Sequence, residues 1–502
     1  MKKAVFVQTM RRGDENTIKG GVSSKELMFR AGKAIAESHD FSGRTAIVCG
    51  KGNNAGDGYV LATILQDKAQ EVALFLVENS FSEDGKYYFD QCVNKNIPYE
   101  MLSEKTDLSG FDTMVDCLFG TGFRGEPTGC YRVAIEKINA SDAFVLSADI
   151  ASGINGDNGL GDCFVRSILT VTIGDYKPGL FLGKGKDAAK KIIVVDIGIK
   201  TENNNIFVSE DTDYKEFIRK RKEYSHKGKF GYTAILGGCE NYVGAVKLAA
   251  SSLSALRAGG GVTRLIVGKN VYPYVAPIGV ESTFFTLPTD EDGDMIFDED
   301  KLSESIKGTK AVAVGMGWGK GKDNRKIVRY LVENYEGRLL IDADGLNALA
   351  YDTDVLLHKK GEIVLTPHLG EMSRLMCKTI AEIESDPIGA AKSFSSRYGV
   401  VTVLKGPTTI VTDGEETILV PKGCVGMSTA GSGDVLSGIL VGILGQDFDN
   451  ILLSVAYATY LNGLSGEIAQ QEKGDISLIA SDTVSKIPEA IRFLRAKNEI
   501  KW

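Results

Sequence analysis

Two groups of residues in this 502-residue chain have the types and spacing to do chemistry. The sharper one is GMSTAGSGDVLSGILVGIL (426–444), a glycine-rich loop that runs into an apolar-striped helix. Backbone amides near Gly431, Ser432 and Gly433 can converge there on an anion, helped by the dipole of the helix start. Asp434 falls in the first helical turn, where a carboxylate can accept a proton from a bound hydroxyl. A simple helix cap, worth about 1 kcal/mol, would account for Asp434 but not for the glycines around it.

The second group lies at three strand ends in the first half. GKGNNAGDGYVLATILQ (50–66) follows a strand and opens a helix, so its small residues let a phosphate approach the backbone. It also carries Asn53, Asn54 and Asp57, more polarity than a tight turn needs. VDCLFGTGFRG (115–125) puts Asp116 late in a strand ahead of Gly120, Thr121 and Gly122, and SADIASGINGDNG (147–159) puts Asp149 at a strand end with Ser152 beyond it. Ligands of open parallel sheets bind outside the carboxyl ends of the strands, so three such ends point to one site.

The elements that must hold these residues are legible as apolar, β-branched runs alternating with helical stretches, the pattern of α/β folds. TAIVC (45–49), EVALFLV (71–77), TMVDCLF (113–119), FVLSADI (144–150), LTVTI (169–173) and KIIVVDIGI (191–199) read as buried strands. TENNN (201–205) and a charge-rich segment over 210–231 then interrupt the pattern, and a domain boundary is expected at 213/214. The alternation restarts with TAILGG (233–238), VTRLIVG (262–268), AVAVGMG (311–317), RLLIDAD (338–344), EIVLT (362–366) and VVTVLKG (400–406). Helices are expected over about 244–258, 323–334, 387–398, 432–444 and 450–470 from apolar three- and four-residue spacing. The fold expected is two tandem α/β domains, a Rossmann-like three-layer one followed by a second α/β domain.

Composition narrows the function. A net charge of −8 argues against a general nucleic-acid binder. No apolar run reaches about 18 residues, so no membrane span is expected. The eight cysteines contain no C-x-x-C pair, and the four histidines (39, 226, 358 and 368) form no metal-ligand spacing. The chain reads as cytoplasmic, with chemistry carried by carboxylates, backbone amides and bound ions.

GNNAGDG, DCLFGTGFRG and DIASG resemble the three motifs of the NAD(P)H-hydrate epimerase family, and SSKELMFRAG (23–32) and KPGLFLGKG (177–185) are similar to it too. The resemblance implies a potassium ion held at Asn54, Asp116 and Ser152. It also implies contacts from a hydrated nicotinamide nucleotide to Asn53, Asn54, Ala55, Gly56 and Asp57, to Gly120, Thr121, Gly122, Phe123, Arg124, Gly125 and Glu126, and to Asp149, which is expected to be catalytic. Ala55, Ala151 and Phe29 stand where that family usually has Gly, Pro and Glu.

The second half resembles ribokinase-like enzymes in its 426–444 loop and in LKGPTTIVTDG (404–414). HKGKFGYTAILGG (226–238), VGMGWG (314–319), DADGLNAL (342–349) and above all LTPHLGEMSRL (365–375) narrow the likeness to the NAD(P)H-hydrate dehydratases. This implies a ribokinase-like fold in which Lys405, Gly406, Pro407, Thr408, Thr409, Gly431, Ser432 and Gly433 hold a nucleotide. Ala245, Gly317, His368 and Asp434 would line the hydrate site. Magnesium is expected with the nucleotide, which is ADP or ATP, with ADP the more expected. The small-molecule substrates are hydrated NADH and NADPH, and a homo-oligomer is expected. The rival readings are a vitamin or sugar kinase carrying an N-terminal nucleotide-binding module, and a non-enzymatic interaction module in the first half.

Overall fold

The structure is a computed structural model that describes residues 1–250, 254–277 and 279–500. The chain divides into two compact units, Lys2–Ile206 and the segment from Phe207 onward.

In the first unit the strands run in the order Tyr99–Met101, Val72–Leu76, Thr45–Cys49, Thr113–Cys117, Phe144–Ala148, Ser167–Ile173, Ala189–Val195. Every pairing among them is parallel. All five residues of Thr45–Cys49 and of Thr113–Cys117 are buried, as expected of strands covered on both faces. The order of strands reverses between these two, with Val48 opposite Asp116, which makes the gap above them the topological switch point. The helix Asn53–Asp67 starts at that gap. The helix Ser24–Ser38 begins where the Ser23 side chain accepts from the Glu26 amide, and it buries Leu27, Met28, Ala31 and Ile35. Gly32 and Gly56 permit the close packing here. A methyl on Gly32 would strike Val60 at 2.5 Å and one on Gly56 would strike the Met28 sulfur at 2.4 Å. The N-terminal helix Val7–Lys19, which carries no apolar stripe obvious from sequence, buries Val7 and Met10.

In the second unit the strands follow the order Ile206–Val208, Thr417–Val420, Thr409–Thr412, Val401–Leu404, Ile363–Leu365, Arg338–Ile341, Ala311–Val314, Tyr232–Leu236, Val262–Gly268, Thr283–Leu287. The pairings from Val401–Leu404 through Thr283–Leu287 are parallel, and Thr409–Thr412 and Thr417–Val420 add an antiparallel meander. Helices Ser432–Leu444 and Ile451–Lys473 are apolar on nearly every face and lie within the core of this unit. The helix expected over 244–258 is present as Val243–Ala250 and Ser254–Arg257, and 251–253 lie outside the described residues. The short strands Tyr99–Met101, Ile206–Val208, Thr283–Leu287 and Thr417–Val420 were not legible. Tyr99–Met101 is exposed throughout and Thr283–Leu287 buries only Leu287, so neither carries a buried apolar run.

Candidate active sites

In the first unit, the carboxyl ends of the central strands open into a cavity of about 790 Å³. Asn53, Asn54, Asp57, Gly120, Thr121, Gly122, Phe123, Arg124 and Asp149 stand in its wall. Ala55, Gly56, Gly125 and Glu126 do not. Gly56 faces the helix Ser24–Ser38, and Glu126 accepts the backbone amides of Asp162 and Cys163.

Beneath that wall Asp116 and Ser152 are fully buried. Asp116 accepts four hydrogen bonds, from the Ser152 hydroxyl (2.5 Å), the Ser152 amide (2.9 Å), the Ser147 hydroxyl (2.9 Å) and the Leu118 amide (3.2 Å). Burial raises its pKa, and these four donors pull it back toward the charged form. Asn54 Nδ2 donates to the Phe119 carbonyl at 2.9 Å, while the Phe119 amide donates to Ser152 Oγ at 2.9 Å. Phe119 therefore ties Asn54 to Ser152, and Ser152 ties both to Asp116. The Asn54 Oδ1 atom is buried and accepts from no protein group. A buried acceptor without a donor costs about 1–3 kcal/mol, and a cation needing oxygen ligands removes that cost.

Asp149 adopts φ +66°, a left-handed conformation that non-glycine residues hold only under constraint. The constraint is Lys177, whose side chain is 1% exposed. Its Nζ donates to Asp149 Oδ1 at 2.6 Å, to the Ile173 carbonyl at 2.7 Å and to Thr172 Oγ1 at 3.0 Å. Asp14, on the N-terminal helix, completes the acidic wall. Burial and the Asp149 charge raise its pKa to about 6, against the pull of Lys177. Burial, Asp149 and Asp14 together push Asp57 well above the carboxylate range. Neither Asp14 nor the role of Lys177 was read from the sequence. The only hint was a lysine shortly after the strand Ser167–Ile173 and ahead of a proline, in a segment singled out by resemblance alone.

In the second unit the charged residues converge at the same edge of the sheet. Asp342, 2% exposed, accepts from Lys405 Nζ at 2.9 Å and Ser437 Oγ at 2.6 Å. Burial opposes its charge, but Lys405, Ser437 and Thr366 outweigh burial and hold its pKa low. Lys405 also lies 3.8 Å from Glu371 Oε2, and its Nζ stands 3.7 Å from where a side chain on Gly433 would begin. Asp434, in the first turn of the helix Ser432–Leu444, has its pKa raised to about 7. Burial is the main cause, followed by repulsion from Asp342, with Lys405 opposing.

His368 caps the helix Leu369–Met376. Its Nδ1 accepts from the Gly370 amide (3.0 Å) and the Glu371 amide (3.3 Å). A neutral imidazole in this cap carries its proton on Nε2. Burial, Lys405 and Arg374 lower its pKa and favour that neutral form. Gly317 (φ +55°) meets Ala245, where an added methyl would lie 2.6 Å from the Ala245 Cβ. These two therefore share one wall, next to a cavity of about 520 Å³ lined by Tyr242, Gly317 and Asp344. Asp344 accepts from the Gly319 amide at 2.8 Å. Thr408 is buried with Oγ1 unpartnered, and Thr409 begins the strand Thr409–Thr412. Gly406 and Pro407 precede them in the turn from Lys405, and Gly431 and Ser432 lead into the helix. Asp342 and Glu371 were missed as charged partners because their roles depend on Lys405 reaching across from another strand.

Residues 233–489 match the family model described as NAD(P)H-hydrate dehydratase, and residues 24–179 match that of the YjeF-related protein N-terminus. The bifunctional NAD(P)H-hydrate repair enzyme of Thermofilum pendens is 34% identical over 499 residues, covering 95% of this chain and 94% of that protein. Its counterpart in Escherichia coli K12 is 30% identical over 500 residues, covering 97% and 93%. Among solved structures, the ADP/ATP-dependent NAD(P)H-hydrate dehydratase of Bacillus subtilis, co-crystallised with ATP and magnesium, is 24% identical with a TM-score of 0.50. It covers 58% of this chain and 99% of its own. A ribokinase-like superfamily protein of Enterococcus faecalis is 21% identical with a TM-score of 0.50, covering 59% and 98%. These two likenesses show the ribokinase-like fold of the second unit.

Proposed function

Since the chain belongs to the bifunctional NAD(P)H-hydrate repair enzymes, we propose that its two activities divide between the two units, epimerase over 1–213 and dehydratase over 214–502. The family's work is to interconvert the two epimers of hydrated NADH and NADPH and to dehydrate one of them back to the reduced cofactor. The observation that carries the assignment is the pair of carboxylate clusters, one at each sheet's carboxyl edge, around Asp149 and around Asp434.

In the second unit Asp434 takes the proton of the substrate hydroxyl as that oxygen attacks the terminal phosphorus of ADP, the expected donor, or of ATP. Amides of Gly431, Ser432 and Gly433 stabilise the charge on the transferred group, and Lys405 sits against them. The C–O bond then breaks with its electron pair leaving on phosphate, pushed by the ring nitrogen, and loss of a neighbouring proton restores the dihydronicotinamide. His368, Ala245 and Gly317 line the hydrate, while Gly406 to Thr409 flank the nucleotide. Repulsion among Asp342, Asp344 and Asp434 fits a magnesium ion carried on the nucleotide phosphates, which would neutralise charge on the transferred group.

In the first unit Asn54, Asp116 and Ser152 would hold potassium, supported by the unpartnered Asn54 Oδ1. The ion would neutralise Asp116 and fix the floor of the substrate cavity. A cytoplasmic homo-oligomer is the setting this reading expects. The test is to incubate the purified protein with mixed hydrate epimers, with and without ADP or ATP, following NADH absorbance and resolving the epimers chromatographically. Both epimers should be consumed with nucleotide, and without it they should only interconvert, faster than spontaneously. A stable phosphorylated product with no NADH would instead establish the small-molecule kinase.

A further inference from the structure

The epimerase cavity holds more proton-carrying groups than a binding site requires. Asp14 and Asp149 both stand in its wall, on the N-terminal helix Val7–Lys19 and at the end of the strand Phe144–Ala148 respectively. They differ in their surroundings. Asp149 is engaged by the buried ammonium of Lys177 at 2.6 Å. Asp14 makes no ion pair among the described residues. Facing Asp14 from other elements are Asp149, Lys177 and Asp57, with Glu15 on its own helix. Arg11, Lys51, Asp84 and Arg124 complete the charged groups of the cavity wall.

The substrate carries a hydroxyl on the carbon beside the ring nitrogen, which is a hemiaminal. A hemiaminal inverts by opening and reclosing, and this takes two proton transfers at once. The hydroxyl proton leaves, the O–H pair becomes the second bond of an aldehyde, and the carbon–nitrogen bond breaks with its pair on nitrogen. That nitrogen must then receive a proton. Rotation about the single bond to the aldehyde carbon and reclosure, with both protons returned, yield the other epimer with no net change in atoms or electrons.

We propose that Asp14 is the second catalytic residue of the epimerase, the acid that gives a proton to the ring nitrogen while Asp149, held by Lys177, takes the hydroxyl proton. This rests on the epimerase reading of the first unit. Two carboxyl groups in one cavity, one salt-bridged and one not, are the arrangement that separates an acid from a base. The upward shift of Asp14 to about 6 agrees with that assignment, since an acid near neutrality gives and regains its proton readily.

The experiment uses the full chain and separated epimers without nucleotide, with the spontaneous rate subtracted. Asp14→Asn should lower kcat by about 100-fold or more and leave KM within about threefold of wild type. In wild type, kcat/KM should fall as pH rises through about 6, where Asp14 loses its proton, and Asp14→Asn should lack that fall. Asp14→Glu should recover part of the rate and restore a falling limb. Asp14→Asn should also melt no lower than wild type at pH 8, because it removes a half-buried charge that burial disfavours.

If Asp14→Asn epimerises within about threefold of wild type, or keeps the falling limb, the proposal is wrong. It is equally wrong if Asp57→Asn, rather than Asp14→Asn, removes that limb. Should Asp14→Asn melt early, Asp14→Glu decides, since a merely structural Asp14 would leave the pH limb of Asp14→Glu where wild type has it. Failure of the underlying reading looks different. Wild type and Asp149→Asn would then both run at the spontaneous rate, and the assignment of Asp14 would fall with it.

Discussion

At the scale of single residues, what matters in both sites is the company each carboxylate keeps. Among the described residues Asp434 has no side-chain hydrogen-bond partner to compensate its burial, whereas Asp342 has Lys405 and Ser437, and their pKa values move in opposite directions. Asp434→Ala is expected to lower nucleotide-dependent dehydration by about 10²–10⁴ while epimerisation is unchanged, and near wild-type NADH regeneration would refute it. The wild-type dehydration rate should climb with pH and level off above about 7, as Asp434 loses its proton. Stability runs the other way. A carboxyl whose folded pKa is raised supports folding below its unfolded value near 3.8 and loses that support as pH rises through about 7. Asp434→Asn should therefore melt higher than wild type at pH 8, with the gain fading toward pH 4. Calorimetry at the two pH values measures it.

At the scale of elements, each site is an accident of strand ends meeting. Asn54, Asp116 and Ser152 come from three segments of the first unit, and Phe119 links them through its amide and carbonyl. If they share an ion, added potassium should raise the melting temperature of the protein, since a ligand bound only by the folded state stabilises it. In Asp116→Asn that gain should shrink markedly relative to sodium, and an undiminished gain would place the ion elsewhere. Close approach is the second lesson at this scale. Gly317→Ala would hold a methyl at positive φ, a conformation costing roughly 1–2 kcal/mol, and press it on Ala245 and the Tyr242 carbonyl. It should raise KM for the hydrate in dehydration and leave epimerisation at wild-type rate. Steady-state kinetics of the two reactions separates these outcomes.

At the scale of the molecule, the units Lys2–Ile206 and Phe207 onward each have a core of their own. Tyr214 is fully buried in the second core, and the Ser209 amide donates to the Leu419 carbonyl at 3.0 Å. A fragment starting at Phe207 keeps both features. It should fold, dehydrate the competent epimer with nucleotide and leave the other to be converted only at the spontaneous rate. Rapid consumption of both epimers by that fragment would overturn the division of labour.

The α/β class, the phosphate-type loops and most of the buried strands were legible because they depend on local pattern. Gly-rich turns, helix starts and β-branched runs are written in contiguous residues, so GMSTAGSGD and GNNAGDG could be placed before any coordinates. The family resemblance added the three-part grouping of Asn54, Asp116 and Ser152. What the sequence could not contain was the set of partners fixed by the order of strands. Lys177 reaches Asp149 across 28 positions, and Lys405 reaches Asp342 across 63. Asp14 enters the cavity on a helix whose polar face looks like ordinary solvated surface. Charge in a folded chain is set by burial and by neighbours distant in sequence, and both exist only once the sheets have closed around them.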